Sequence, residues 1–340
     1  MPVDAPPAPP LLQVRGLRVA FAAPAGLVQA VDGLSFDLAA GEVLGLVGES
    51  GSGKSVSMAA LLGLIDDPRA RVEGSVRLRG RELIGLAPEA MRQVRGREIA
   101  MVFQNPMTAL TPVYTIGHQI AEQILAHERI GAAAARARAI ELLAAVGLPD
   151  PAAQARRHPH QLSGGMRQRA LIAMALSCRP AVLIADEPTT ALDVTVQAEI
   201  LELLHRLRAD FGSAVVLITH DLGVVAELAD RGMVMYAGRV VERGTAVDLF
   251  DAARHPYTWG LLGSIPPLAG PRPPRLPSIA GMPPALDRLP PGCAFAPRCG
   301  CADARCATRP ELLPAAAPHA AACVLRADER AAARLQAMAR

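Results

Sequence analysis

Aromatic residues and long apolar runs are both scarce in this sequence. Phe, Trp and Tyr make up 3% of the 340 residues, although apolar residues as a whole make up 51%. A hydrophobic core must therefore be filled mainly by Ala, Leu, Val and Ile. We find no uninterrupted apolar run of roughly 18 residues, the length that a membrane-spanning helix needs. We expect any role at a membrane to depend on partner chains.

The sequence also lacks a strong charge bias and an export signal. The net charge is +3 and basic residues are interleaved with acidic ones, which gives no support to nucleic-acid binding. Residues 1–10 are rich in proline and include Asp4, without the basic and apolar segments of a signal peptide. We therefore expect a cytoplasmic location.

Apolar patterning predicts an α/β fold. Residues 181–185 and 214–219 are uniformly apolar and end in acidic or polar residues, which is typical of buried parallel strands. The helical pattern of residues 196–208 connects them, and the spacing in residues 115–146 predicts a largely helical insertion. We expect functional residues at the carboxyl ends of the strands.

The composition changes abruptly beyond about residue 255. Residues 256–297 are dense in proline and have few periodic segments, which predicts a separate, loop-rich extension. The Ala- and Arg-rich residues 327–340 predict a terminal helix that can either fray or dock.

A glycine-rich segment between a predicted strand and a predicted helix fits the P-loop pattern. Glycines let successive backbone N–H groups face phosphate oxygens, and the helix N-terminus adds partial positive charge. Lys54 would reach the β- and γ-phosphates, and the Ser55 hydroxyl would ligate Mg²⁺. The predicted phosphate-binding residues are Gly48, Ser50, Gly51, Ser52, Gly53, Lys54 and Ser55.

Two acidic residues follow the predicted strand at 181–185. Asp186 suits a carboxylate that holds Mg²⁺, and Glu187 suits a general base that polarises the attacking water. Together with the P-loop they predict a P-loop NTPase.

A third motif resembles the signature motif of ABC ATPases: Leu162-Ser163-Gly164-Gly165-Met166-Arg167-Gln168-Arg169. Ser163 and the paired glycines offer a hydroxyl and backbone N–H groups at a helix N-terminus. In that family the motif faces the γ-phosphate of ATP bound by the opposite subunit, so the resemblance implies a head-to-tail dimer. Met166 replaces the usual glutamine, whereas Ser163 and Gly165 are kept.

Three shorter motifs are similar to those of the same family. Gln104 resembles the Q-loop glutamine that senses Mg²⁺ and the attacking water, and Asp193, in Ala191-Leu-Asp193, resembles the D-loop aspartate. His220 resembles the switch histidine that contacts the γ-phosphate. Phe21 is the best candidate for the aromatic residue that stacks on adenine, with an apolar core contact as the alternative.

The chain is identified as a member of the ABC ATPases by these motifs, which cover about residues 11–254. The resemblance implies an α/β, P-loop NTPase nucleotide-binding domain over residues 11–255, with a helical subdomain at about 107–175. A proline-rich tail, residues 1–10, would precede it, and a small, loop-rich, cysteine-containing extension, residues 256–340, would follow.

Two longer phrases, residues 185–197 and 255–266, look like the ATP-binding subunits of oligopeptide/dipeptide importers. Nickel and glutathione importers share that subfamily, so the cargo stays open. The resemblance implies ATP and Mg²⁺ as ligands and a second ABC ATPase subunit, a homologue rather than an identical chain. It also implies two transmembrane permease subunits, an extracytoplasmic substrate-binding protein, and a place on the cytoplasmic face of a prokaryotic plasma membrane.

Two other classes of protein stay open. A soluble ABC protein acting on DNA or ribosomes usually carries a second cassette, a long coiled coil or a basic arm, and we find none of these patterns in the sequence. A redox- or iron-sensing regulator would instead use the cysteine-rich tail as its functional centre.

The cysteine-rich tail is the other candidate site. In a reducing cytosol such a cluster suggests a metal before disulfides, although its spacings fit neither ferredoxins nor zinc ribbons. The tail resembles the C-terminal extension of the same importer subunits and predicts a [4Fe–4S] cluster, with Zn²⁺ or free buried thiols as alternatives. The predicted ligands are Cys293, Cys299, Cys306 and Cys323, with Cys301 as an alternative to Cys299.

Two further residues have weaker patterns. His319 is a lesser candidate ligand, with an exposed loop histidine as the alternative. Cys178 is expected to be a small buried apolar residue.

Overall fold

The computed structural model describes residues 9–24, 26–190, 192–265, 278–313 and 318–338. Most of the predicted tail at 1–10, Ala191 of the D-loop and residues 266–277 of the extension lie outside these ranges. The strands are β1 (Leu12–Ala23), β2 (Gly26–Leu38), β3 (Val43–Val47), β4 (Arg71–Leu78), β5 (Arg81–Glu82), β6 (Ile99–Val102), β7 (Val182–Asp186), β8 (Ala214–Thr219), β9 (Arg231–Tyr236), β10 (Arg239–Thr245) and β11 (Ala320–Ala321). The helices are α1 (Lys54–Leu61), α2 (Pro88–Val94), α3 (Pro106–Ala109), α4 (Ile116–His127), α5 (Ala132–Ala145), α6 (Pro151–Ala155), α7 (Gly164–Ala175), α8 (Val194–Phe211), α9 (Leu222–Leu228), α10 (Ala246–Asp251), α11 (Pro256–Gly263) and α12 (Ala327–Met338).

The chain divides into two compact units, and the first contains Ser75–Ile218 with shorter pieces from the N-terminal part. In it, β6, β7 and β8 lie side by side in parallel, with Ile99 opposite Val182 and Asp186 opposite Ile218. Every residue of β7 is buried. The predicted buried parallel strands are therefore confirmed, and Asp186 ends one of them.

The helices α4 to α7 of the first unit pack on one another, with α5 against α4, α6 and α7. Helix α4 begins after Thr115, whose hydroxyl caps it, and it buries Ile116, Ile120 and Ile124. This spacing of four residues places the isoleucines on one face of the helix. The helical insertion predicted over residues 115–146 is confirmed.

The second unit contains Leu44–Gly74, Arg15–Ser35 and the chain from Thr219 onward. In it β3 is parallel to β9, whereas β9 and β10, and then β10 and β11, are antiparallel. Helix α11 begins with a proline at its first position, where the missing N–H costs no hydrogen bond. That helix is a regular element within residues 256–297, for which the sequence predicted a loop-rich extension with few periodic segments.

Helix α12 confirms the predicted terminal helix and docks within the second unit. Nη1 of Arg334 donates to the carbonyl oxygen of Asp251 at 2.6 Å, and α12 packs beside α11. Of the two outcomes expected for this tail, docking is the one found.

Strands β2, β1, β4 and β5 lie in that order in a further sheet. Residues of β1, β2 and β4 belong to both units, because each strand continues from one into the other.

The described helices were compared with the length and apolar character of a membrane span. Within the residues that the structure describes, no helix combines the length and apolar character needed to cross a bilayer.

Candidate functional site

The P-loop joins β3 to α1 in the second unit, and glycines are required there by space and by backbone angle. A Cβ at Gly48 would lie 2.2 Å from the carbonyl oxygen of Met235, and one at Gly53 would lie 2.5 Å from that of Ala30. Gly51 and Gly53 have φ values of 79° and 101°, which L-residues rarely adopt. Close packing and backbone conformation therefore require glycine at these positions, and the contact of their N–H groups with phosphate oxygens stays a prediction.

Lys54 begins α1 and its side chain is only 5% exposed. Its Nζ donates to the carbonyl oxygens of Gly48 at 2.6 Å and Glu49 at 3.0 Å, and to Oγ of Ser52 at 3.4 Å. The ammonium group is therefore held inside the loop, where phosphate oxygens would be its natural acceptors. The next residue, Ser55, is exposed at the helix N-terminus.

Asp186 and Glu187 lie in the first unit at the end of β7, with Asp186 4% exposed. Nε2 of Gln104 donates to Oε2 of Glu187 at 2.9 Å. The same oxygen accepts from Oγ1 of Thr190 at 2.7 Å. The structure thus brings together Gln104 and Glu187, two residues that the sequence assigned to one reaction.

The backbone of Glu187 adopts a left-handed conformation, with φ 45°. Residues other than glycine pay for this conformation in free energy, and such strain is concentrated at functional positions. The sequence analysis did not predict that Thr190 contacts Glu187. Its position three residues after Glu187 was the feature from which this contact could have been predicted.

The signature motif and the D-loop lie next to each other in the first unit. Ser163 caps α7, its Oγ accepting from the N–H of Met166 at 3.3 Å, and Asp193 caps α8. A Cβ at Gly165 would lie 2.7 Å from Cγ1 of Val196, so the two helix starts are closely packed. Ser163, Gly164 and Asp193 are exposed. This surface is accessible to a second molecule.

His220 and Phe21 belong to the second unit. His220 follows β8 directly and is exposed, and the next residue, Asp221, caps α9 by accepting from the N–H of Gly223 at 2.7 Å. Phe21 is half-buried on β1. Their predicted contacts with nucleotide stay predictions.

Comparison with known proteins identifies the family. The family model described as ABC transporter matches residues 31–190, and the one described as oligopeptide/dipeptide transporter, C-terminal region, matches residues 241–306. A putative peptide import ATP-binding protein of Brucella abortus is 54% identical over 87% of this chain and 89% of that protein. The chain belongs to the ABC transporter ATP-binding proteins of the oligopeptide/dipeptide type. The resemblance stated from the motifs is confirmed.

Other ABC proteins of this type differ in length. The dipeptide transport ATP-binding protein DppD of Bacillus subtilis is 51% identical, over 85% of this chain and 86% of DppD. The oligopeptide transport ATP-binding protein OppD of Mycobacterium tuberculosis is 55% identical over 93% of this chain, but the match spans only 52% of OppD. The chain therefore spans about half the length of the mycobacterial relatives that it matches.

The ABC cassette fold is confirmed by solved structures. The dimeric bacterial ABC transporter cassette MJ0796 has a TM-score of 0.62 and 29% identity, covering 69% of this chain and 98% of the cassette. A related structure of the same cassette is a dimer in a post-hydrolysis state bound to ADP and Pi.

The C-terminal thiols of this ABC protein line one small cavity of about 10 Å³. That is about the space that one water molecule needs, and less than a cluster of iron and sulfur atoms occupies. Burial raises the pKa of Cys293 and Cys323, and raises that of Cys299 to about 12. The lining cysteines are Cys293, Cys299, Cys301, Cys306 and Cys323.

The predicted metal centre is not supported by this arrangement. In the ranges that the structure describes, no group of three or more His, Cys, Asp or Glu side chains is placed to hold a metal ion. All six cysteines are free thiols, and the N–H of Cys301 donates to Sγ of Cys299 at 3.4 Å. Cys178 is buried as expected, whereas the five cysteines of the C-terminal extension are only half-buried.

Both interpretations of His319 are wrong. The residue is 5% exposed, and its Nε2 lies 2.8 Å from Oε1 of Glu242, which is fully buried. Its Nδ1 lies 3.6 Å from Oδ1 of Asp248. His319 thus belongs to a buried hydrogen-bonded pair beside β10 and β11, and is not an exposed loop residue; among the described residues it is part of no group placed to hold a metal ion.

Proposed function

We propose that this chain is the ATP-hydrolysing subunit of a membrane importer of peptides. The observation that carries the proposal is the contact between Gln104 and Glu187 at 2.9 Å, in a chain that also has a complete P-loop. Hydrogen bonds from Gln104 and Thr190 orient the Glu187 carboxylate, which can then take a proton from an attacking water. The remaining step is phosphoryl transfer from ATP to that water.

The proposed roles in binding ATP and Mg²⁺ follow from the chemical groups that each side chain offers. Lys54 would hold the β- and γ-phosphates, and His220 would contact the γ-phosphate. Mg²⁺ prefers oxygen ligands, and Ser55, Asp186 and Gln104 offer a hydroxyl, a carboxylate and an amide oxygen. When bound, the ion would neutralise charge on the phosphates. Phe21 would stack on adenine.

The decisive experiment replaces Glu187 with Gln. Loss of the base should lower ATP turnover by about 10²- to 10⁴-fold while nucleotide binding is kept. Glu202→Gln, at an exposed position of α8 in the same unit, is the matched control and should keep full turnover. Undiminished turnover in Glu187→Gln would refute the assigned role.

A second ABC ATPase subunit is proposed as partner. The exposed Ser163, Gly164 and Asp193 support this, because a signature motif that serves a partner's nucleotide must be accessible at the surface. ATP would be sandwiched between the P-loop of one subunit and Ser163 and Gly165 of the other. Analytical sedimentation of the Glu187→Gln variant with ATP should show dimers. A heteromeric pair would require the homologous subunit to be added. The substitution Ser163→Arg should abolish the dimers.

Transmembrane permease subunits are the proposed membrane partners, and they would place the chain on the cytoplasmic face of the membrane. Close to Gln104 in sequence, exposed apolar side chains include Phe103 at 44%, Val113 at 71% and Leu125 at 42% exposure. A groove of about 540 Å³ runs beside Leu125 between helices of the first unit. An apolar surface of this kind fits a helix supplied by another protein.

Leu125→Glu tests this docking surface. The variant should lose copurification with permease subunits while its ATP binding is unchanged. Leu27→Glu, at an apolar residue of the second unit that is 51% exposed, should keep the permease bound. Equal copurification of both variants would contradict the assigned surface.

Peptides are the proposed cargo, delivered by an extracytoplasmic substrate-binding protein. The support is that relatives more than 50% identical are named for oligopeptide or dipeptide transport. Uptake of labelled di- and oligopeptides, compared with nickel and glutathione, in cells carrying or lacking the gene tests the assignment.

We also propose that the cysteine tail binds a [4Fe–4S] cluster, with Zn²⁺ as the alternative. The support is that five thiols line one cavity, which would have to widen to take a cluster. An absorbance spectrum and metal analysis of anaerobically purified protein decide between iron–sulfur, zinc and free thiols.

A further inference from the structure

The C-terminal extension reaches the P-loop through Arg298. Nη1 of Arg298 donates to Oε2 of Glu49 at 2.6 Å, and Nη2 donates to Oε1 at 2.9 Å. Glu49 is the second residue of the P-loop, 249 positions earlier in the chain. The two parallel bonds form a bidentate pair, which fixes the orientation of both groups.

Arg298 is itself held in place. Its side chain is only 5% exposed, and its Nε donates to the carbonyl oxygen of Ala280 at 2.9 Å. Nη1 also donates to the hydroxyl of Tyr236 at 3.3 Å, and Nη2 to the carbonyl oxygen of Gly281 at 3.3 Å. The guanidinium therefore has little freedom to follow Glu49 if the loop moves.

The backbone of Glu49 is held as well. Its N–H donates to the hydroxyl of Tyr257 at 2.8 Å, and Tyr257 is fully buried against Tyr236 and Phe295. Burial raises the pKa of Tyr257, so the hydroxyl stays neutral. Both the main chain and the side chain of Glu49 are thus tied to residues outside the ATPase motifs.

These contacts continue to the phosphate-binding lysine. The carbonyl oxygen of Glu49 accepts from Nζ of Lys54 at 3.0 Å. A displacement of Glu49 would therefore move an acceptor of Lys54, and with it the loop that must match the phosphates.

We propose that Arg298 and Tyr257 are positioning residues of the P-loop, so that the C-terminal extension sets the nucleotide affinity of this chain. The inference rests on the proposed ATP site. The extension would then form part of the ATPase core instead of being an independent appendage.

The test measures the Kd for ATP with Mg²⁺ in the 340-residue chain by fluorescence titration. Arg298→Met should weaken binding about tenfold, because a buried charge-assisted pair is lost and the loop is released. Arg298→Lys should restore part of that loss. Arg305→Met is the matched control: Arg305 lies in the same extension and pairs with Asp303 and Glu329, away from the P-loop, so its Kd should stay unchanged.

A double-mutant cycle distinguishes positioning from simple stabilisation of the extension. If Arg298 acts through Glu49, combining Glu49→Leu with Arg298→Met should weaken binding no more than the stronger single variant does. Additive losses, or an Arg298→Met Kd within about twofold of the parent value, would overturn the proposal.

Tyr257→Phe covers the case in which Arg298→Met fails to fold. It removes one hydroxyl and keeps the ring packed, and a several-fold weaker Kd at unchanged melting temperature is expected; an unchanged Kd contradicts the proposal. If the parent chain itself does not bind ATP, the proposed function fails and not this inference alone.

Discussion

The two glutamates of the candidate ATPase motifs have carboxylates with different partners. Glu49, in the second unit, pairs with the guanidinium of Arg298 through both oxygens. Glu187, in the first unit, accepts from the neutral amide of Gln104 and the hydroxyl of Thr190. Arg298 holds both oxygens of Glu49 in a bidentate pair, whereas the bonds that Glu187 accepts from Gln104 and Thr190 share one oxygen, Oε2. We propose that Glu49 positions the P-loop and that Glu187 takes part in the reaction.

The strongest challenge to the positioning role is Gly48→Ala, next to Glu49. The new Cβ would lie 2.2 Å from the carbonyl oxygen of Met235, so the loop must shift by about 1 Å, which we expect to weaken ATP binding about 100-fold. Isothermal titration with ATP measures it. Gly51→Ala meets no neighbouring atom and should cost much less; equal effects would show that backbone angle, and not close packing, controls the loop.

Gln104→Leu tests the reacting glutamate. Loss of the 2.9 Å hydrogen bond to Glu187 should lower ATP turnover about tenfold, the effect of one such bond, with little change in Kd. Steady-state turnover and equilibrium binding are measured on the same preparation. If Gln104→Leu weakens ATP binding and keeps ATP turnover, the assignment of Glu187 to the reaction is contradicted.

Thr190→Val should have a smaller effect on the same carboxylate. The substitution keeps the side-chain shape and removes the hydroxyl that lies 2.7 Å from Glu187, so turnover should fall about fivefold. Thr189→Val, one residue earlier, is the control. Similar turnover of both variants would remove Thr190 from the set that orients the base.

Glu49→Gln is expected to give the smallest change. The amide can still accept from Arg298 but loses the charge, so the Kd for ATP should rise about threefold while turnover at saturating ATP is kept. A large loss of turnover at saturation would place Glu49 in the chemistry and break the comparison.

Local motifs predicted the sites that depend on neighbours in sequence. The P-loop, the acidic end of β7 and the helix that starts at the signature motif were predicted, because backbone geometry and donor chemistry there are set within a few residues. The strands that carry these motifs were found for the same reason, since uniformly apolar runs are typical of buried parallel strands. The helix cap at Asp193 was not predicted.

Contacts between residues far apart in the sequence could not be predicted from local motifs. Arg298 lies 249 residues from Glu49, and His319 lies 77 residues from Glu242, so no spacing rule links them. Helix α11 was missed because a proline-rich composition masks a short buried segment that begins with proline. Side-chain pairs of this kind are chosen by the tertiary fold, which alternation and composition do not encode.

The left-handed backbone of Glu187 has a consequence for how this position tolerates substitution. At φ 45° a non-glycine residue costs about 1 kcal/mol relative to glycine. Glu187→Gly and Glu187→Ala both remove the carboxylate and its bonds to Gln104 and Thr190, but only glycine relaxes the backbone, so the glycine variant should melt at the higher temperature of the two. The backbone therefore favours glycine at this one position, whereas the proposed reaction needs a carboxylate.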